Sequence, residues 1–276
     1  MSLARRAIWY MESHCASDIT LDDVADGVGV SRYHLIRAFG VATGYSVMRY
    51  LRARRLSIAA QSLVDNDSRN ILDIALASGY NSHEAFTRAF IKQFGSTPEL
   101  IRRQSHVDNL DLVEPLYLAH QQYLETDEPE ICVKPDFLVT GMCDHYGDDA
   151  SVRIPALWQQ FHPYMNHPQR IGGDSYGICS GDHDGCNVNY VCAVEIANDK
   201  HSIPELVTMR IPEQRYVVFT HREHIAGIKQ TFNYIWSEWL PQSDYIPVNA
   251  PSFELYKASF DRQTGFGGVE IWIPVQ

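Results

Sequence analysis

Two hydrophobic rhythms divide the chain. Up to residue 104 the apolar positions recur at helical spacing. Leu21, Val24, Ala25 and Val28 stand at i, i+3, i+4 and i+7. Residues 45–63 carry Val47, Leu51, Leu56, Ile58, Ala59 and Leu63 without a proline or glycine, which predicts a long connecting helix. From residue 131 the rhythm shortens to strand-like runs at 131–133, 137–139, 175–179, 190–196, 207–211, 215–220, 253–256 and 269–273. Only 156–165 and 228–239 read as helix in that half. The expected architecture is an all-α domain over 1–107, an acidic, proline-containing linker over 108–130, and an α+β domain over 131–276 with an antiparallel sheet. Both halves of the second domain read strand–helix–strand–strand, which predicts two pseudo-symmetric repeats.

The helical part contains a motif written twice. Ser31, Leu35, Arg37, Ala38, Phe39 and Gly44 return in the same spacing as Ser82, Phe86, Arg88, Ala89, Phe90 and Gly95. Each copy is preceded by a short amphipathic run and a turn glycine, Gly29 in the first and Gly79 in the second. Each therefore reads as helix, turn, helix, with Ser31 or Ser82 capping the second helix. Leu35, Ala38 and Phe39 turn inward, which leaves Arg32, Tyr33, Ile36 and Arg37 on the outer face. The second copy leaves His83, Glu84, Thr87 and Arg88 outside in the same way. A polar second helix of this kind suits the major groove, and two units on one stiff helix can enter consecutive grooves ~34 Å apart. Arg49, Arg52, Arg54 and Arg55, with Arg102 and Arg103 beyond the second copy, are expected to meet phosphates.

Charge sharpens the division. The chain as a whole carries −11, yet residues 1–107 hold 13 Lys+Arg against 10 Asp+Glu, so the acidity lies in the second half. The opening MSLARRAIWYMESH lacks the apolar core of a signal peptide, and no run of apolar residues is long enough to span a membrane. A cytoplasmic location follows as the expectation, with the six cysteines as reduced thiols.

Residues 8–104 resemble the AraC/XylS family of bacterial transcription regulators. The likeness rests on Ile74-Ala75, Gly79-Tyr80, Ser82, Phe86, Arg88, Phe90, Gly95-Ser96-Thr97-Pro98 and Arg102-Arg103. It implies that the two outer faces read bases. Two residues depart from the family pattern. Ile36 would meet a thymine methyl, and Glu84 would accept from a cytosine amine or pair with Arg88. The second half resembles the GyrI-like small-molecule-binding domain through Tyr234, Trp236, Trp239-Leu240-Pro241, Phe253-Glu254-Leu255-Tyr256 and the closing Val269-Glu270-Ile271-Trp272-Ile273. That resemblance implies an aromatic cleft between two halves, in which an acidic residue meets cationic, aromatic ligands.

Aromatic faces attract delocalised cations, and a carboxylate in an apolar setting supplies the compensating charge. The candidate pocket is Glu254 and Tyr256, which share one strand face, walled by Trp158, Tyr190, Trp236 and Trp272, with Glu270 as the second carboxylate. Cys179, His183 and Cys186, with Cys143 and His145, match no defined zinc spacing, and neither a metal nor a cofactor is expected. No nucleophile motif or phosphate-binding glycine loop stands out, so no catalytic residue is assigned. The sequence reads as a transcription regulator whose partners are promoter DNA, a small-molecule effector and RNA polymerase. Two rivals stay open: a small-molecule hydrolase carried on a DNA-binding module, and a constitutive DNA-binding protein whose second domain binds a protein.

Overall fold

A computed structural model describes residues 2–65, 69–118, 127–146, 150–181, 188–200 and 203–276. The chain separates into two compact units, 1–120 and 121–276. The first is helical: α1 (Leu3–Ser13), α2 (Leu21–Val28), α3 (Arg32–Thr43), α4 (Val47–Val64), α5 (Ile71–Ala77), α6 (His83–Phe94) and α7 (Pro98–Gln104). The written repeat is also a structural one. Thr20 with Asp23 and Asn70 with Asp73 form capping boxes at the starts of α2 and α5. Ser31 and Ser82 accept from His34 and Ala85 N–H at the starts of α3 and α6. Gly29 and Gly79 make the turns at φ 72° and 78°, a region L side chains avoid. Phe86 and Phe90 of α6 pack with Leu56, Ala60 and Leu63 of α4 and with Ile74 of α5.

The long helix α4 is the hub, and its arginines divide between core and surface. Arg49 and Arg52 are exposed, whereas Arg54 and Arg55 are each only 7% exposed. The expectation that Arg54 and Arg55 meet phosphates is therefore corrected. Arg55 donates from Nε to the Cys15 carbonyl at 2.8 Å and from Nη2 to the Ser17 carbonyl. It fastens α4 to the turn after α1 and fills the space beside Gly79, where a Cβ would stand 3.0 Å from its Nη1. Arg54 donates to Glu12 at 2.9 and 3.0 Å and to the Val113 carbonyl at 2.5 Å.

The chain after α7 runs back over this hub. Val113 N–H donates to Ser57 Oγ at 2.8 Å, Leu116 N–H to Tyr50 Oη at 3.2 Å, and Arg5 Nε to the Leu118 carbonyl at 2.8 Å. Residues 108–118, expected as joining chain, are strapped to α1 and α4 as part of the first unit. Glu12 holds two of the strap's four anchors, taking bonds from Tyr50 Oη at 2.7 Å and from Arg54. Burial works to raise the Glu12 carboxyl, but bonds from Arg54 and Tyr50 and the Arg54 charge outweigh it and hold it below the usual range. Its stabilising contribution is thus present above the ordinary carboxylate pKa and is lost as pH falls through the lowered folded value. Glu12→Gln should cost about 2 kcal/mol at pH 7. In denaturant melts, the gap to wild type should narrow towards pH 3.

The second unit is one curled antiparallel sheet with helices on one face. Its elements are β1 (Glu130–Lys134), β2 (Phe137–Tyr146), α8 (Ala150–Phe161), β3 (Ser175–Gly181), β4 (Val188–Glu195), β5 (Val207–Ile211), β6 (Gln214–His221), α9 (Ile228–Tyr234), β7 (Ser252–Tyr256) and β8 (Val269–Pro274). The strand order is β1-β6-β8-β7-β3-β4-β2-β5. Each half holds two strands before its helix, because Pro135-Asp136 and Pro212-Glu213 break the runs that precede α8 and α9. Alternation along β7 sends Phe253 and Leu255 to one face, where they join Phe137, Tyr176, Tyr216 and Trp272. Glu254 and Tyr256 go to the other, where α8 covers Tyr190, Cys192 and Val194 with Leu157 and Phe161. Among the described residues no helix is long and apolar enough to cross a membrane.

Candidate functional site

The first unit presents two helix faces. On α3, Arg32 is exposed and lies 3.2 Å from Asp22 of α2, while Tyr33, Ile36 and Arg37 are half-buried beside it. On α6, Glu84 and Arg88 are exposed and His83 and Thr87 half-buried. His83 Nε2 lies 3.0 Å from Glu99 of α7, which ties the start of α6 to the next helix. The Glu84 carboxyl is held below its usual range first by its own backbone N–H, then by the Ser82 hydroxyl, and less by His83 and Arg88. It folds over the N-terminus of α6, where a negative charge is favoured. Arg49 and Arg103 are exposed, Arg102 is half-buried, and Arg49 lies 5.8 Å from the Tyr45 ring centre.

In the second unit four of the expected residues come together. Glu254 is 9% exposed, and its Oε2 accepts from Tyr190 Oη and Tyr256 Oη, both at 2.7 Å. Trp158 Nε1 of α8 donates to the same Tyr190 hydroxyl at 3.2 Å, and the Trp158 and Tyr256 rings meet edge to face at 5.0 Å. Burial first, and then the Glu254 charge, hold both phenols far above the ordinary tyrosine range. At neutral pH both are donors, and Tyr190 passes a polar chain from the helix to the carboxylate.

Two expected residues lie on the opposite face of the sheet. Trp272 pairs with Phe253 in the register of β7 and β8, and the two rings stack at 5.1 Å on the face opposite Glu254. Glu270, opposite Leu255, shares that face and takes bonds from Lys257 Nζ at 2.5 Å and Trp272 Nε1 at 3.0 Å. Both are corrected: neither strand position can turn to Glu254, because neighbours along a strand alternate. A cleft of about 510 Å3 opens on their side, lined by Glu130, Thr220, Arg222, Lys257, Gly267, Gly268 and Glu270. Trp236 is fully buried in the π-helical turn Ile235–Trp239 that continues α9.

Sequence reasoning gave Gly177 no role, yet the site depends on it. A Cβ there would stand 2.0 Å from Tyr190 Oη and 2.8 Å from Glu254 Oε2. A glycine inside a strand is the signal for such close approach. Cys143 and Cys179 are half-buried and His145 bonds Asn189, while His183 and Cys186 lie outside the described residues.

A duplicated groove-reading unit joined to a domain with a buried carboxylate under aromatic rings defines a DNA-binding protein that carries a ligand-binding domain. A GyrI-like small molecule binding domain model matches residues 127–276, and a helix-turn-helix domain model matches 24–104. The chain belongs to the GyrI-like family and, with an AraC-type helix-turn-helix domain ahead of it, is a transcription regulator of the AraC family. It is 28% identical to transcriptional regulator Rob of Salmonella typhimurium over 95% of this chain and 93% of that one. It is 27% identical to right origin-binding protein of Escherichia coli over 99% and 98%. Among solved structures, SAV2435 bound to tetraphenylphosphonium matches 54% of this chain and 94% of that one, at 22% identity and a TM-score of 0.47.

Gly177→Ala should force Tyr190 and Glu254 apart at a cost of roughly 1–3 kcal/mol. Thermal unfolding should show the loss, and Tyr190→Phe in the same background should recover part of it by removing the hydroxyl that the new methyl meets.

Proposed function

We propose that the α3 and α6 faces read adjacent major grooves of a promoter, and that the second unit binds an aromatic cation at Glu254. The observation that carries the ligand class is a carboxylate 9% exposed, bonded by two tyrosine hydroxyls under Trp158. Such a site rewards a delocalised positive charge that brings its own apolar surface. The base readers are Arg32, Tyr33, Ile36 and Arg37 with His83, Glu84, Thr87 and Arg88. Arg49, Arg52, Arg102 and Arg103 serve phosphates. The protein binds rather than catalyses: the Glu254 cluster holds phenols kept protonated, with no activated nucleophile beside them among the described residues. It works in the cytoplasm with RNA polymerase as its protein partner.

The two-repeat reading of the second unit is supported by its strand order. Exchanging β1–β4 with β5–β8 turns β1-β6-β8-β7-β3-β4-β2-β5 into the same list read backwards. The matching Pro135-Asp136 and Pro212-Glu213 turns support it too. The halves meet between β3 and β7, so Gly177 and Glu254 lie at the seam.

Two measurements test the function. In gel shifts, Arg88→Ala should cost about 1–3 kcal/mol on one DNA sequence and relax the preference at one base position, whereas Arg49→Ala should weaken all sequences alike. A salt-independent affinity would overturn the phosphate contacts. In thermal unfolding, tetraphenylphosphonium at a hundred times its Kd should stabilise wild type by about 2.7 kcal/mol. Glu254→Gln should weaken its binding about tenfold or more. No stabilisation by this cation, or an equal one in the variant, would remove Glu254 from ligand recognition.

A further inference from the structure

Two arginines stand at the rim of the Glu254 site with no acidic partner among the described residues. Arg170, before β3, donates to the carbonyls of Met165 at 2.6 Å, Gly173 at 2.5 Å and Asp174 at 3.1 Å, all neutral acceptors. Its Nε is buried and has no hydrogen-bond partner among the described residues. Arg262, between β7 and β8, donates from Nη2 to Ser175 Oγ at 2.9 Å, and its Nη1 meets Met165 Sδ. Its guanidinium carbon lies 5.6 Å from the centre of the Trp158 ring, and part of the side chain stays open to solvent. The nearby acids are turned to other work. Asp174 accepts from Ala258 N–H at 3.0 Å, and Asp261 accepts from the N–H groups of Gln263 and Thr264.

Two guanidinium groups that converge on Met165 and on residues 173–175 repel one another. Burial, and then the Arg170 charge, push Arg262 below the ordinary arginine range. Like charges brought together without a carboxylate mark a place where an anion is missing, and paired guanidinium groups suit a planar carboxylate or a sulfonate. The surroundings select an organic anion. Trp158 lies against Arg262 on one side and bonds to Tyr190 on the other. Tyr256 touches Trp158 at 5.0 Å and Phe260 at 5.1 Å.

We propose that Arg170 and Arg262 form an anion subsite beside Trp158, which takes the carboxylate or sulfonate of an aromatic ligand whose cationic end lies at Glu254. The effector is then a zwitterion rather than a simple cation. The second clause rests on the reading of Glu254 given above, and the first does not.

Sodium benzoate, matched against sodium chloride at equal ionic strength, tests the anion subsite alone in the full-length protein. Saturable thermal stabilisation is expected for wild type and not for Arg262→Gln. Because Arg170 also bonds three carbonyls, Arg262, with its single hydroxyl bond, is the variant least at risk of misfolding. Absent saturation, or equal saturation in the variant, overturns the subsite. Tetramethylrhodamine, a carboxylate-bearing cation, and its ethyl ester then test the zwitterion. The acid should bind about tenfold more tightly than the ester, a preference that Arg262→Gln abolishes, while Glu254→Gln weakens both. Equal binding of the two dyes, both weakened by Glu254→Gln, leaves Glu254 standing and overturns the zwitterion, while the benzoate titration decides the subsite. A preference for the acid that ignores Glu254→Gln keeps the subsite and overturns the cation reading. If neither dye binds, the zwitterion is overturned and the benzoate titration decides the subsite.

Discussion

Taking a carboxylate out of water costs several kcal/mol unless hydrogen bonds replace those it gives up. Glu254 sits on β7, near the middle of the eight-stranded sheet, and much of the second unit is arranged round it. Tyr256 reaches it from two residues along the same strand, and Tyr190 crosses from β4 over β3. That crossing is possible only because residue 177 on β3 has no side chain. The Tyr190 hydroxyl, once committed as donor to Glu254, keeps an acceptor position that Trp158 fills. The placement of α8 is thereby linked to the carboxylate by a polar chain as well as by the packing of Leu157 and Phe161.

The first unit solves a different problem, that of building a basic surface from a small helical core. Its longest helix carries four arginines between Arg49 and Arg55, and the fold uses two of them inside. Arg55 satisfies carbonyls left over at the turn after α1, and Arg54 gathers Glu12 and the returning strap. A buried guanidinium is tolerable when its fork meets several acceptors at once, as both do here. Basic character at the surface then falls to Arg49, Arg52, Arg69, Lys92 and the arginines of α3, α6 and α7. Local net charge is a poor guide to the DNA-facing set for that reason.

Legibility followed the range of the interaction. The duplicated helix-turn-helix could be read because its signals are local: a capping hydroxyl, a turn glycine and apolar residues three and four apart. The shared face of Glu254 and Tyr256 could be read for the same reason, since alternation along one strand is a local rule. Trp272 and Glu270 were misplaced because their face depends on how β8 registers against β7, and nothing within β8 states that register. Arg55 was misplaced because α4 is surrounded, which its own sequence, with arginine on several sides, does not show. Gly177 carried the right signal, a glycine inside a strand, but its partner Tyr190 is known only once β3 and β4 are paired. The strand rhythm of the sheet domain was visible in the sequence, while the placing of β1 beside β6 and of β5 beside β2 is a feature of pairing alone.

The same closure that satisfies Glu254 bears on how such a domain responds. With Glu254 and Tyr256 each 9% exposed and Tyr190 at 1%, the carboxylate is largely covered by its own neighbours. If a ligand engages Glu254 as proposed, it binds an arrangement in which the side chains covering the carboxylate have given way, and it binds the closed arrangement more weakly. That difference in affinity is the one thing a ligand needs in order to shift an equilibrium between two states. An open, rigid pocket with the same contacts would bind more tightly and signal nothing. The bonds that close the site, Trp158 to Tyr190 and Tyr190 to Glu254, therefore lower the apparent affinity and make a response possible.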